Sequence, residues 1–386
     1  MTLQVYLDNS ATTPLLPEVA EAMKPYWSEK YGNPSSPHSL GVECERALTN
    51  CRMYLAQLLG VNHQELIFTS SGTEANNLAI LGFAYNQRKP GHIITTSIEH
   101  LSVLNVMNHL SEQHQWQISY LPVNKQGLID LKQLEAEIRP DTCLISIGLV
   151  NNEIGTIQDL ASIGQIVKKY NQQQQQIVLH VDAVQAFGHI PLDIKKNNIH
   201  LLTVSGHKIF GPKGSGLLYC DHKVRLQPLF FGGGQENGLR SGTENLPAII
   251  GFTKACQLAM EEYNSRLSQL KLWYNQLLEH LTEIPDHFIN SPTNGSPHII
   301  NIGFIGIKSE ILVHFLEAKG IYVSMGAACS GRRQSISHVL QAIGLTPEQA
   351  GASIRISLSP FHTRDEIEYA GKIINETVNE IRSIYQ

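Results

Sequence analysis

This 386-residue chain has no CxxC spacing, no long apolar run and no surplus of basic residues. Each absence removes a class of function. Its six cysteines, Cys44, Cys51, Cys143, Cys220, Cys256 and Cys329, are scattered, which argues against a disulfide framework at this size. No stretch approaches the roughly 20 apolar residues of a membrane span. With 29 Lys+Arg against 34 Asp+Glu the net charge is −5, so a broad nucleic-acid footprint is disfavoured, though a local basic patch is not. The first residues, Met1-Thr-Leu-Gln-Val-Tyr-Leu-Asp-Asn9, lack a secretory signal's basic start and apolar core, and no Arg/Ser-rich transit pattern follows. The expected location is the cytoplasm.

What remains is an ordinary globular composition, 42% apolar and 16% charged. At about 150 residues per domain, two or three domains are expected. The middle of the chain alternates short apolar runs (His92–Thr96, Cys143–Val150, Ile177–Asp182, Leu201–Ser205, Ser215–Cys220) with amphipathic patterns (Thr73–Gln87, His100–His114, Leu131–Arg139, Leu160–Tyr170). Continuous apolar strands separated by helices predict an α/β fold with a mostly parallel sheet covered on both faces. Asn245–Ile284 has few breakers and reads as one long helix bridging to a second, smaller α+β unit. The run Gln172–Gln176 reads as a solvated loop.

Three constellations carry chemistry. Thr69-Ser-Ser-Gly72-Thr73-Glu-Ala-Asn-Asn77 follows an apolar strand and opens a helix, where exposed N–H groups and the helix dipole suit a phosphate; an ordinary Ser/Thr cap is the alternative. His180-Val-Asp182-Ala-Val-Gln185 ends an apolar strand in an acid, which is costly unless it meets a cation such as a protonated pyridine nitrogen. A metal is the rival partner, but no second acidic or histidine group has convincing ligand spacing, so no metal site is expected. Ser205-Gly-His207-Lys208-Ile-Phe-Gly211-Pro-Lys-Gly-Ser-Gly216 has P-loop glycine spacing, yet Pro212-Lys213 stands where Lys-Ser/Thr is required. A strand-end lysine in a Gly-rich turn suits Schiff-base chemistry instead. In this order and spacing, the three match what pyridoxal 5'-phosphate needs: an anchored phosphate, a protonated ring nitrogen and a lysine for the aldehyde.

At these residues the chain resembles the cysteine desulfurases of the NifS/IscS type, class-V aminotransferase-like enzymes of PLP fold type I. The resemblance runs through Tyr6-Leu-Asp-Asn-Ser-Ala-Thr-Thr-Pro14, Gly32-Asn-Pro-Ser-Ser36, Ile98-Glu-His100, Val150-Asn-Asn-Glu-Ile-Gly155, Val181–Gln185, Ser205–Lys208, Arg240-Ser-Gly-Thr243, Ala328-Cys329 and Ser353-Ile-Arg-Ile-Ser357. It implies a large PLP-binding domain over 16–260 and a small α+β domain over 261–386, joined by residues 1–15 and carrying the Cys329 loop. It implies that Lys208 holds the cofactor aldehyde. Gly72, Thr73, Ser205 and His207 would bind the phosphate, with Thr243 contributed by the other subunit of a homodimer. Asp182 would pair with the ring nitrogen, Gln185 with the phenolic oxygen, and Asn152 would touch the cofactor. His100 would stack on the ring and move protons with Lys208. Arg355 would grip the L-cysteine carboxylate as a bidentate fork, with Asn33 nearby, although Asn33-Pro34 is equally a turn signal.

Cys329 would be the nucleophile that takes sulfur as a persulfide, leaving alanine, and passes it to an iron–sulfur scaffold or a thiolation carrier. The other five cysteines read as core or incidental residues. The chain departs from the family after Cys329, where Ser330-Gly-Arg332-Arg333 replaces small and acidic residues. Those arginines are expected to lower the thiol's pKa or to steer an acidic acceptor, unless the loop is simply solvated. The runner-up reading is a selenocysteine or cystine lyase, or another class-V enzyme on the same machinery. A sulfur carrier that kept only the fold is the reading from a different class, and Lys208, Asp182 and His100 together argue against it.

Overall fold

The computed structural model describes residues 3–173, 175–326 and 336–385. Cys329, with Ala328, Arg332 and Arg333, lies outside them.

Seven strands form the larger sheet in the order Leu66–Thr69, Gly216–Cys220, Leu201–Ser205, Val178–Asp182, Thr142–Gly148, His92–Thr96 and Gln117–Leu121. Gly216–Cys220 runs antiparallel to both neighbours and the remaining pairs are parallel. The strands are apolar on both sides because helices cover both faces, including Gly72–Tyr85, Leu101–His114, Leu160–Gln172 and Ser39–Leu59. In this order Leu66–Thr69 also points along the parallel set. The C-terminal ends of six strands therefore share one edge, and the segments beginning at Gly72, Ile98, Asn151, Ala183 and Gly206 leave from five of them. Ligands collect at such an edge.

The apolar runs foreseen from sequence appear within about two residues of their expected limits. Gln117–Leu121 was not foreseen: it is an edge strand whose half-exposed Gln-Ile-Ser-Tyr carries no continuous apolar signal. Cys44 and Cys51 are both buried on one face of Ser39–Leu59.

A second sheet, Ser324–Met325, Ser353–Ser357, Ile299–Phe304 and His287–Ile289 in order, is antiparallel throughout. Val5–Tyr6 pairs in parallel with Ile321–Tyr322, and Val5 and Leu7 enter the core that this sheet shares with the helices Tyr263–Thr282 and Arg364–Tyr385. The expected strand over Ile321–Ser324 is thus two short strands serving different sheets.

The single long helix over Asn245–Ile284 is also two, Leu246–Glu261 and Tyr263–Thr282, interrupted at Glu262 (φ −100°, ψ 9°). The first half buries Phe252, Ala255 and Cys256 in the core beneath the large sheet, and the second buries Leu270, Leu277 and Leu281 in the core of the small one. Two helices facing different cores have no reason to remain collinear. In the glutamine run, Gln175 is more than a solvated link: its amide donates to the carbonyls of Arg139 and Thr142 and closes the strand end.

Candidate active site

The strand-end edge opens into a cavity of about 290 Å³. Its wall includes Gly72, Thr73, His100, Asn152, Asp182, Gln185, Ser205, His207, Lys208 and Arg355, from five strand-end segments and one strand of the smaller sheet.

Gly72 and Thr73 begin the helix Gly72–Tyr85. Ser71 caps it, its side chain accepting from the Glu74 N–H. A Cβ on Gly72 would lie 2.7 Å from Val184 Cγ2, so only glycine fits where helix and sheet approach. Across from this turn the Ser205 hydroxyl is buried without a hydrogen-bond partner. His207 faces Thr12, Nδ1 lying 3.2 Å from Oγ1. Burial, with Lys208 and Lys213 nearby, pulls its pKa down to about 4. The ring is therefore neutral, and it can offer a hydrogen bond but not a charge.

Asp182 is 8% exposed. Its carboxylate accepts from Asn76 Nδ2 at 2.7 Å and from the Val184 N–H at 2.9 Å. Both donors are neutral, so a cation at the open side of this carboxylate would be strongly favoured. Gln185 donates through Nε2 to the Ser10 carbonyl at 2.9 Å.

Lys208 Nζ donates to the carbonyls of Ser10 at 2.5 Å and Ala11 at 2.7 Å. These belong to the turn after the first strand, so residues from the start of the chain hold the ammonium at the cavity. His100 Nδ1 accepts from the Ser102 N–H at 3.1 Å and lies 2.8 Å from the Ser102 hydroxyl, which Asn76 Nδ2 also meets at 2.8 Å. With Nδ1 an acceptor, the proton of the neutral ring resides on Nε2. Burial lowers the pKa of His100, with Asp182 opposing and Lys208 assisting.

Arg355 reaches the cavity from Ser353–Ser357, its side chain 3% exposed. Nη1 donates to the Asn152 carbonyl at 3.0 Å and Nη2 to Asp8 Oδ1 at 2.7 Å, while Nε is buried and unpartnered.

Two expected site residues lie elsewhere. Asn33 does not line this cavity; its Oδ1 accepts from the Ser35 N–H at 2.9 Å, the turn its Asn-Pro sequence also signals. Thr243 lines a separate pocket with Ser70, Arg240 and Glu244. Cys329 lies outside the described residues.

Four residues that sequence reasoning did not assign take part. Asn76 and Ser102 connect Asp182 to His100, and Asp8 engages Arg355. Glu99 is buried against the cavity, burial pushing its pKa up to about 7. Asn76 stands one helical turn beyond Gly72, and Ser102 two residues past His100, so helical spacing was the available signal for those two. Asp8 and Glu99 lie inside quoted motifs, but their partners are distant in sequence.

The donor set fits pyridoxal phosphate. Ser205 Oγ and the opening of the helix would hold a phosphate, the Asp182 carboxylate would pair with a cationic ring nitrogen, and the Arg355 guanidinium at the cavity would receive an acid.

The aminotransferase class-V family model matches residues 5–370. A cysteine desulfurase IscS of Methanosarcina thermophila is 44% identical over 98% of this chain and 93% of its own length. Among solved structures, a NifS-like protein has a TM-score of 0.91 at 38% identity, covering 98% of this chain and 100% of the other. SspA in complex with cysteine gives 0.81 at 36% identity, covering 94% of this chain and 100% of the other.

Proposed function

The chain belongs to the class-V aminotransferase family, and from that premise we propose that it is a pyridoxal-phosphate-dependent cysteine desulfurase whose sulfur leaves on Cys329. One observation carries the reading: Lys208, Asp182, Ser205 and Arg355, 173 residues apart at the extremes, line a single cavity.

When bound, the cofactor supplies an aldehyde that captures amines and a ring that accepts electrons. Asp182 keeps the ring nitrogen protonated, and Asn76 and the Val184 N–H hold that carboxylate in place. Gly72, Thr73, Ser205 and the neutral His207 bind the phosphate through hydrogen bonds. Gln185 and Asn152 contact the rest of the ring.

Lys208 would be the amine that holds the cofactor aldehyde, and its amino group at the cavity would be the principal proton carrier. His100 works beside it, its Nε2 side available to the reacting groups because Ser102 occupies Nδ1. Arg355 binds the substrate carboxylate. The Cys329 thiolate then attacks the substrate sulfur. The carbon–sulfur bond breaks, a sulfur–sulfur bond forms on Cys329, and the electron pair left on the carbon skeleton is protonated to give alanine. The persulfide passes to an iron–sulfur scaffold or a thiolation carrier.

The enzyme acts as a cytoplasmic homodimer, with Thr243 completing the partner's phosphate site. Thr243 lines a pocket other than that of Lys208, and Phe231, next to the Phe230 that bridges to Arg240, is 86% exposed, an apolar surface suited to a second copy. Among the described residues no helix is long and apolar enough to cross a membrane.

The test is cofactor loading. The wild type should show the visible absorption of lysine-bound pyridoxal phosphate and release alanine from L-cysteine. Lys208→Ala should lose that absorption and turnover while folding normally. Full turnover by Lys208→Ala would refute the assignment.

A further inference from the structure

Arg355 does not wait for its substrate with an unbalanced charge. Asp8 sits on Nη2 at 2.7 Å; Arg355 is buried, its side chain 3% exposed, and Asp8 is partly buried at 21%. The position of Asp8 is set by its backbone, whose carbonyl accepts from the Ala11 N–H and the Tyr6 hydroxyl and which bridges to Ser357 at the end of the Arg355 strand. Neighbouring bonds pin the same segment: Asn9 Nδ2 donates to the Ser357 carbonyl, and the Ser10 N–H donates to the Ser357 hydroxyl. Asp8 is therefore a fixed counter-ion. The Nε of Arg355, in contrast, is buried and unpartnered.

We propose that Asp8 is a specificity-determining residue that neutralises Arg355, so that an incoming carboxylate is selected by directed guanidinium N–H hydrogen bonds and not by net positive charge. The inference rests on the reading of Arg355 as the carboxylate-binding residue. A bare buried guanidinium would attract every small anion present, sulfate and phosphate included. Paired with Asp8, it rewards only an acid that meets the fork in the right plane. Glu153 also acts on Arg355, but burial raises its pKa to about 7, so near pH 7 it carries only about half a charge, and Asp8, directly on Nη2, is the closer counter-ion. The counter-ion thus gives up affinity for selectivity.

The experiment uses holoenzyme carrying Asp8→Asn or Asp8→Ser, both neutral and both retaining an oxygen that can accept from Nη2. Three quantities are read: KM for L-cysteine, Kd for the product L-alanine from the cofactor's absorption change, and the inhibition constant of sulfate. Each folded variant should bind L-alanine and sulfate at least about fivefold more tightly than wild type, with the larger gain for sulfate. KM should fall in step, and kcat should stay within about threefold. Unchanged or weaker binding of both L-alanine and sulfate in either folded variant would overturn the proposal. Arg355→Ala separates the two layers: if it leaves the L-alanine Kd unchanged, the carboxylate assignment itself is wrong, whereas weakened binding there with no gain on neutralising Asp8 refutes only the counter-ion role.

Discussion

At the scale of single residues, burial decides which groups are charged. Glu153 is nine-tenths buried, its carboxylate accepts from the Ser337 hydroxyl at 2.5 Å, and its pKa rises from 4.5 to about 7, burial outweighing Ser337 and Arg355. Between those pH values the native state binds more protons than the unfolded chain, so this residue makes stability fall as pH rises from about 4.5 to 7. Glu153→Gln keeps an acceptor for Ser337 and cannot titrate. Thermal unfolding of both proteins should therefore show the variant gaining on wild type between pH 5 and pH 8, by up to roughly 3 kcal/mol. A constant difference across that range would contradict the burial argument. The opposite sign holds for His180 and His189, whose pKa values burial lowers to about 4: their contribution is present above pH 6.5 and is lost as pH falls toward 4.

Residue types were legible in sequence where chemistry forced them. Lysine, aspartate and serine at strand ends announced themselves because each is an expensive choice at a buried terminus. Asp8 did not, because its reason for being there is Arg355, 347 residues away. Asn33 shows the converse. Its motif was read for substrate contact, while the geometry within the protomer is that of a turn.

Among elements, the apolar strands and amphipathic helices of the large sheet were readable because periodicity is a local property. The break at Glu262 was not, since both halves of Leu246–Thr282 remain good helix and only their cores differ. The segment around Thr243 is tied down by a feature equally invisible in sequence. Glu236, side chain 2% exposed and at φ 48°, receives both Nη atoms of Arg52, at 3.0 and 2.6 Å, and the Phe68 N–H at 2.8 Å. The guanidinium also lies over the Phe68 ring, 4.7 Å from its centroid. Arg52→Ala would strand the Glu236 carboxylate in a dry site. Denaturant unfolding should show a loss of about 3–5 kcal/mol. A loss under about 1 kcal/mol would mean that solvent reaches Glu236.

For the whole molecule, the arrangement of Thr243 and Lys208 in separate pockets predicts shared sites. Mixed dimers of Lys208→Ala with Thr243→Ala contain one site with the lysine of one subunit and the threonine of the other, and one site lacking both. Unfolding and refolding the two variants together should restore wild-type cofactor affinity to half the sites of each mixed dimer. Failure of any site to recover, with mixed dimers present, would place Thr243 and Lys208 of one protomer in the same site.

The destination of the sulfur tests the whole molecule most directly. Holoenzyme given L-cysteine without reductant should release alanine, and the peptide containing Cys329 should carry one additional sulfur atom that reductant removes; Cys329→Ala should bind pyridoxal phosphate but form no such adduct. Alanine release with no added sulfur on Cys329 would contradict the account.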